Sequence, residues 1–219
     1  MAGGKLSLRW MNEYACVLLD MPGARLVVDP VGVAEGLGKL DAILITHEHY
    51  DHLDTHLVAN LQSKTGCLVV ADQTSSKLLA RSVPGDKLVT VKPGSQVSVG
   101  EAKIYVEECN HPPASTPVTY IIEAGGLKVY HTADSLPFKR MAEIGATHEP
   151  DITFCTVGIA PGASPRTGAE IAKLVKPKVA IPYHTRSRGD LRAFADILAR
   201  EAPDIRCVIL EIGQEFTYP

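Results

Sequence analysis

Thr46-His47-Glu48-His49-Tyr50-Asp51-His52-Leu53-Asp54 follows directly on Ala42-Ile43-Leu44-Ile45. The apolar run is short and β-branched, and it predicts a buried strand. Four side chains able to ligate a metal, His47, His49, Asp51 and His52, then fall within six residues. Neutral imidazole and carboxylate together suit zinc, iron or manganese. On a helix, positions two apart splay by roughly 200°, so His47 and His49 could not act together there. On an extended or turning backbone they can share one side. The stretch is therefore predicted to be a loop at a strand end, unlike the helical His-Glu-x-x-His zinc motif. Asp51 and His52 are adjacent and cannot both face as the first pair does. That points to two neighbouring cations, one on His47 and His49, the other on Asp51 and His52. A polar turn of solvated histidines is the plain alternative. Three histidines and two aspartates in eight residues, straight after a buried strand, argue against it. His56 falls in the predicted following helix and is read as a surface residue.

The chain around this stretch has 219 residues, room for one sizeable core, and is read as a single domain over 1–219. Hydrophobic residues at 45% and charged residues at 21% are an ordinary globular balance. A net charge of −3 gives no global pull toward nucleic acid. The five cysteines, Cys16, Cys67, Cys109, Cys155 and Cys207, are scattered, odd in number and form no Cys-x-x-Cys. Buried free thiols in a reducing compartment fit that pattern. No basic segment leads into an apolar run and a small-residue cleavage site, and no apolar run is long enough for a transmembrane segment. The expected location is cytoplasmic.

In chain order, strands are predicted at Leu6–Trp10, Ala15–Leu19 and Arg25–Asp29, with Pro22-Gly23 as the turn between the last two. A helix over Thr55–Ser63 takes Asp54 or Thr55 as its cap. Then come a strand at Cys67–Ala71, a helix at Ser75–Arg81, a strand at Lys87–Val91, and a hairpin of Gln96–Val99 with Ala102–Glu107. Val118–Glu123 and Leu127–His131 form a second hairpin about Gly125-Gly126. Pro137–Ile144 is predicted as a helix and Ile152–Val157 as a strand. Thr167-Gly168-Ala169-Glu170 is expected to open a helix through Val175 as a capping box. Lys178–Pro182 is a strand, Asp190–Glu201 a helix, and Arg206–Glu211 and Glu215–Tyr218 are strands. The halves echo each other. Arg25–Asp29 leads to Asp41-Ala42-Ile43-Leu44-Ile45, as Lys128–Asp134 leads to Asp151-Ile152-Thr153-Phe154-Cys155. A duplicated unit follows, with two sheets face to face and helices on the outer faces.

Every candidate ligand lies at the C-terminal end of a predicted strand: His47 to His52, His111, Asp134 and His184. Loops at one end of a sandwich can converge. His111, held extended before Pro112-Pro113, would complete the first cation's set. His184 would join Asp51 and His52, and Asp134 would bridge the two. His131 is expected to orient a ligand, and Asp29 and Asp54 to support ligand imidazoles. His148 is read as surface. Arg186 and Arg188, and more weakly Arg166, are candidates to hold an anionic substrate group.

The pattern resembles the metallo-β-lactamase superfamily. It does so through His47-x-His49-x-Asp51-His52, His111, Asp134 and His184 in order, through Asp29-Pro30, through Tyr130-His131-Thr132-Ala133-Asp134, and from Thr167 to Ile181-Pro182-Tyr183-His184. Nearly the whole chain is covered. Within the superfamily it looks most like the compact metal-dependent hydrolases related to ascorbate-6-phosphate lactonase and N-acyl-phosphatidylethanolamine phospholipase D. The resemblance implies an α+β, four-layer αββα sandwich with a dinuclear centre of divalent metal ions, usually zinc, with manganese or iron as alternatives. One departure is Asn12-Glu13, where that branch carries Gly-His.

The expectation is a metal-dependent hydrolase acting on a small ester, lactone or phosphodiester. Asp51 would hold a metal and orient or accept a proton, and His131 would serve as proton relay or oxyanion donor. The partner is a small, anionic substrate, with no nucleic acid, and a homo-oligomer is compatible. Rival expectations are a phosphodiesterase or nuclease using Arg186 and Arg188, and a metal-binding regulatory protein without turnover. A di-iron redox centre fits less well, because those relatives supply glutamate where His49 stands and act with a flavin domain.

Overall fold

Side-chain alternation along the central strands sets the layers. The computed structural model describes residues 5–219. The first half runs β1 (Leu6–Trp10), β2 (Val17–Met21), β3 (Ala24–Val28), β4 (Ala42–Ile45), α1 (Thr55–Thr65), β5 (Leu68–Asp72), α2 (Gln73–Leu79) and β6 (Leu88–Val91). The second runs β7 (Gln96–Val99), β8 (Ala102–Glu108), β9 (Val118–Ala124), β10 (Leu127–His131), α3 (Met141–His148), β11 (Ile152–Thr156), α4 (Pro165–Val175), β12 (Val179–Tyr183), α5 (Arg188–Glu201), β13 (Arg206–Cys207) and β14 (Glu215–Tyr218). One seven-stranded sheet has the order β14-β1-β2-β3-β4-β5-β6, and the other β13-β12-β11-β10-β9-β8-β7.

Leu26, Val28, Ala42, Leu44 and Val70 of the first sheet join the large core shared with the second sheet. Their neighbours Val27, Ile43, Ile45, Val69 and Ala71 face the other way and pack with Leu57, Val58 and Leu61 of α1 and Leu79 of α2. Successive strand residues point to opposite faces, so a strand buried on both must be apolar throughout. That is why Ala42–Ile45 reads as an unbroken apolar run. On the far side, Ile144, Ala172, Phe194 and Leu198 of α3, α4 and α5 cover the second sheet. The layers are helix, sheet, sheet, helix: the expected αββα sandwich.

The ladders repeat. From β14 to β6, three antiparallel pairings are followed by three parallel ones, and from β7 to β13 the same succession recurs. Asp41 Oδ2 accepts from Arg25 N at 2.8 Å, and Asp151 Oδ2 accepts from Lys128 N at 2.9 Å. Asp41 N returns a bond to Arg25 O at 2.8 Å, and Asp151 N to Lys128 O at 2.9 Å. This register aligns Asp29 with Thr132, so Asp134 stands two residues beyond the counterpart of Asp29.

Several boundaries shift by one or two residues, β2 to Val17–Met21 and α2 to Gln73–Leu79 among them, and four further differences have a visible cause. α3 begins at Met141 rather than Pro137, because Leu136 N bonds Asn110 O at 3.0 Å and ties the preceding chain to another loop. α4 is capped by Ser164. Thr167 is its reciprocal partner three residues on, not the cap, and Pro165 takes the first helical position. α5 starts at Arg188 rather than Asp190, because Ser187 is its cap, accepting from Asp190 N. The strand expected over Arg206–Glu211 pairs only at Arg206–Cys207.

Candidate metal centre

β4 delivers its ligands through a tight turn. Beyond Ile45, the His52 and Leu53 amides both bond His49 O, at 2.9 and 2.8 Å. The turn leaves Tyr50 exposed, keeps Asp51 buried, and brings the His47 and His52 ring centroids to 3.9 Å. Asp54 then caps α1, accepting from the His56 and Leu57 amides at 3.1 and 3.0 Å, so its carboxylate serves the helix and not a ligand ring.

His111 comes from the loop after β8. That loop crosses to the first sheet and is pinned there: Ser115 N bonds Glu48 Oε1 at 2.8 Å and Val118 N bonds Thr46 O at 3.0 Å. Nearby, Tyr120 reaches between the sheets and donates to Ile45 O at 2.7 Å. Asp134 follows β10 and His184 follows β12. Both exits need left-handed backbone, with φ of 50° at Ala133 and 58° at His184. Asp29 (47°) and the β-branched Ile159 (52°) share that conformation. The remaining non-glycine residues with positive φ among those described, Glu149 and Lys176, end helices. Strained backbone thus gathers at the rim.

All seven expected ligands meet there in two groups, His47, His49, His111 with Asp134, and Asp51, His52, His184 with Asp134; in each group the ligand atoms lie within 4.8 Å of one another. Asp134 Oδ2 is 3.9 Å from His47 Nε2 and 3.8 Å from His111 Nε2. Its Oδ1 is 3.0 Å from His52 Nε2. His111 Nε2 is 3.2 Å from His49 Nδ1, and His184 Nε2 is 3.6 Å from Asp51 Oδ2. Four atoms about a zinc-sized cation, each at ~2.1 Å, would stand ~3.4 Å apart. The spacing fits a cation in each group, and one Asp134 oxygen faces each.

The partners left over make the same point. His47 Nε2, His52 Nε2, His184 Nε2 and Asp134 Oδ1 are buried with no hydrogen-bond partner. His52 Nε2 and Asp134 Oδ1 are close, but not aligned as donor and acceptor. The other nitrogens of these rings have partners, His184 Nδ1 lying also 3.3 Å from Asp134 Oδ1. His52 Nδ1 donates to Asp29 Oδ2 at 2.8 Å, His47 Nδ1 meets Thr46 Oγ1 at 3.0 Å, and His184 Nδ1 donates to Gly158 O at 3.3 Å. Each contact fixes the tautomer that leaves Nε2 bare. Asp29 is itself held, accepting from Thr46 N at 2.8 Å and Thr46 Oγ1 at 2.7 Å.

Electrostatics agree. Burial, and then the neighbouring His52, push His47 far below the ordinary histidine range. Burial also lowers His111. Burial opposes charge on Asp134, but His52 and His184 beside it hold its carboxyl well below the usual range. Burial opposes protonation of His52, yet Asp134 and Asp29 on either side raise it well above the usual value. Asp134 and Asp29 thus favour positive charge at His52, while burial favours neutral His47 and His111.

Other expected site residues fall elsewhere. His131 cannot relay a proton as expected. It is fully buried, its Nε2 donates to Ala15 O at 2.9 Å, and its Nδ1 accepts from Ala133 N at 3.3 Å. Nε2 joins the two sheets and Nδ1 holds the local turn into Ala133. His56 is exposed, and His148 is half-buried, bonded to Glu107 Oε1 at 2.9 Å. Arg188 bonds Glu211 at 2.6 Å and Arg166 bonds Glu201 at 3.1 Å. Only Arg186 borders the centre, through Tyr14, whose ring is 6.2 Å from that of His184. Tyr14 and Tyr50 are the residues that sequence reasoning missed. Tyr50 sits inside the ligand stretch, which was the available signal; Tyr14 had none. Asn12, the point of departure from the resembled branch, shapes the Tyr14 loop: its Oδ1 accepts from the Tyr14 and Cys16 amides and its Nδ2 donates to Val31 O.

An αββα sandwich with a histidine- and aspartate-lined rim defines a protein of the metallo-β-lactamase fold. A family model described as a beta-lactamase superfamily domain matches residues 7–184, and the chain belongs to that family. Among its relatives, a UPF0173 metal-dependent hydrolase of Caldivirga maquilingensis is 26% identical, over 97% of this chain and 98% of the relative. A UPF0173 protein of Pyrococcus furiosus is 30% identical over 83% of this chain and 85% of its own length. The solved structure of Igni18, a metallo hydrolase from Ignicoccus hospitalis, superposes with a TM-score of 0.84 at 20% identity, covering 98% of this chain and 99% of that one. That likeness concerns the fold.

Proposed function

We propose that this chain is a metal-dependent hydrolase that turns water against a small ester, lactone or phosphodiester. His47, His49 and His111 would hold one divalent cation and Asp51, His52 and His184 a second, with Asp134 shared. The observation that carries this is the set of buried Nε2 atoms of His47, His52 and His184, the first two facing Asp134 and the third facing Asp51, all lacking any hydrogen-bond partner. Nitrogen and oxygen donors suit zinc first, with manganese or iron as alternatives. When bound, the cation pair supplies Lewis-acid polarisation of the scissile group and a water of lowered pKa.

The chain's own residues do the rest. Asp134 keeps the two groups at a fixed separation with one oxygen toward each. Asp51, buried beside His184 at the rim, accepts the proton of the attacking water on its carboxylate. Thr46, Asp29 and Gly158 hold the imidazoles in one tautomer, so ligand rings take no part in proton traffic. Among the described residues no helix is long and apolar enough to cross a membrane. The five unpaired cysteines fit a reducing compartment, and we assign the protein to the cytoplasm on that ground.

Elemental analysis of the purified chain, followed by ester, lactone and phosphodiester panels with each metal, tests the proposal. Asp134→Ala and His52→Ala are expected to lose metal and turnover together. Full activity in metal-free protein would overturn it.

A further inference from the structure

The two ends of the centre are bounded differently. At the His49–His111 end, Ser115 is pinned to Glu48, and Thr116 Oγ1 donates to Asp72 Oδ2 at 2.5 Å, so loop and sheet are stapled together. At the Asp51–His184 end the rim opens on side chains that face water. Tyr50, between two expected ligands, is 76% exposed, more than any other large hydrophobic side chain among the described residues. Its ring stands edge-on to Tyr14 at 6.4 Å. The Arg186 guanidinium lies 5.6 Å from the Tyr14 ring centre, and its Nη2 donates to the Tyr14 hydroxyl at 2.8 Å.

An exposed aromatic ring set edge-on against a half-buried one beside a reactive centre is unfavourable surface unless something covers it. The adjoining cation is oriented but not consumed. Arginine carries five N–H donors, and here one is engaged by Tyr14. The nearest carboxylate, Glu13, is 3.5 Å from Nε, and the arginine side chain keeps 67% exposure. Glu13 dilutes the charge without blocking the outer fork of the guanidinium. That fork matches the two oxygens of a carboxylate or phosphate.

We propose that Tyr14, Tyr50 and Arg186 form the recognition edge of the pocket, selecting a ligand in which a planar apolar portion is joined to a carboxylate or phosphate. The planar part lies against Tyr50, the anion meets Arg186, and Tyr14 is a positioning residue for the guanidinium. This rests on the hydrolase reading for where the scissile bond lies, but the edge itself exists without bound metal.

Calorimetric titration of the full chain with benzoate, phenyl phosphate, inorganic phosphate and benzyl alcohol tests it, with metal content measured on every sample. Wild type is expected to bind an aryl anion more tightly than inorganic phosphate or benzyl alcohol. Arg186→Ala should weaken aryl-anion binding about 10- to 100-fold, the loss of one charge-assisted contact, and leave metal content unchanged. Tyr50→Ala should remove the preference for the aryl over the inorganic anion. Tyr14→Phe should weaken binding about threefold, in keeping with one lost neutral hydrogen bond. Preference for benzoate or for phenyl phosphate identifies the anion. No aryl-anion binding by wild type, or equal binding by Arg186→Ala, overturns the proposal. A chain that holds no metal but still binds aryl anions through Arg186 would sink the hydrolase reading alone.

Discussion

In the first sheet, the carboxylate at the end of β3, Asp29, is turned inward and wholly occupied by Thr46 and His52. In the second sheet the aligned residue is Thr132, whose hydroxyl donates to Phe154 O at 2.7 Å, and the carboxylate appears two residues later as Asp134. The ladders match strand for strand, and Asp41 and Asp151 clamp their hairpins with the same pair of bonds. The halves diverge only beyond the strand ends. The first half contributes four candidate ligands from one loop after β4. The second contributes one each from the loops after β8, β10 and β12. Duplication thus fixes a frame, and the chemistry lies in what extends past it, where backbone hydrogen bonding no longer dictates the residue.

The largest test of this contrast sets the two carboxylates against each other. Asp134→Ala should abolish turnover and metal retention, because both groups lose their shared oxygen donor. Asp29→Ala should keep the ligand set yet weaken metal binding about 10- to 100-fold, the usual cost of losing an outer-shell partner. Competition against a chelator of known affinity measures both. Equal losses would mean that Asp29 is itself a ligand.

His131→Leu comes next. It should destabilise the fold by about 1–3 kcal/mol, since a buried polar contact between the sheets is left unpaired. The pH profile of kcat should stay in place. Denaturant unfolding together with the profile separates a strut from a relay, and a displaced profile with intact stability would restore the relay.

The smallest effects sharpen the comparison most. Asp41→Ala and Asp151→Ala should each cost about 1–2 kcal/mol through one lost carboxylate–amide bond, and should match within about 0.5 kcal/mol. Each carboxylate also meets a largely exposed lysine, Lys39 at 3.7 Å from Asp41 and Lys178 at 2.7 Å from Asp151, and these bridges add little. Unequal costs measured by urea unfolding would break the equivalence of the halves.

Much of this was legible beforehand where local chemistry decides. The strand before His47 shows in its apolar run, and the turn shows in the impossibility of a helix. The ligands are readable because each follows a strand that must end at the same rim. What stayed hidden depended on partners distant in sequence. Asp29 is expected as a support, but which imidazole it holds depends on the fold, which places it against Thr46 and His52. His131 looked catalytic because it stands three residues before Asp134, yet its ring is consumed by Ala15, more than a hundred positions away. Thr167 carried the composition of a cap, but Ser164 filled that place because Pro165 needs the first helical position.

The six left-handed non-glycine residues divide the molecule into places to engineer and places to leave alone. Replacing Glu149 or Lys176 with glycine relaxes a helix end, a route to heat tolerance that leaves the reactive rim untouched. The same relaxation at Ala133 or Ile159 would harden the chain while unlocking the backbone that aims Asp134 and the carbonyl behind His184. Variants selected for endurance alone would therefore drift toward a tougher, blunter catalyst.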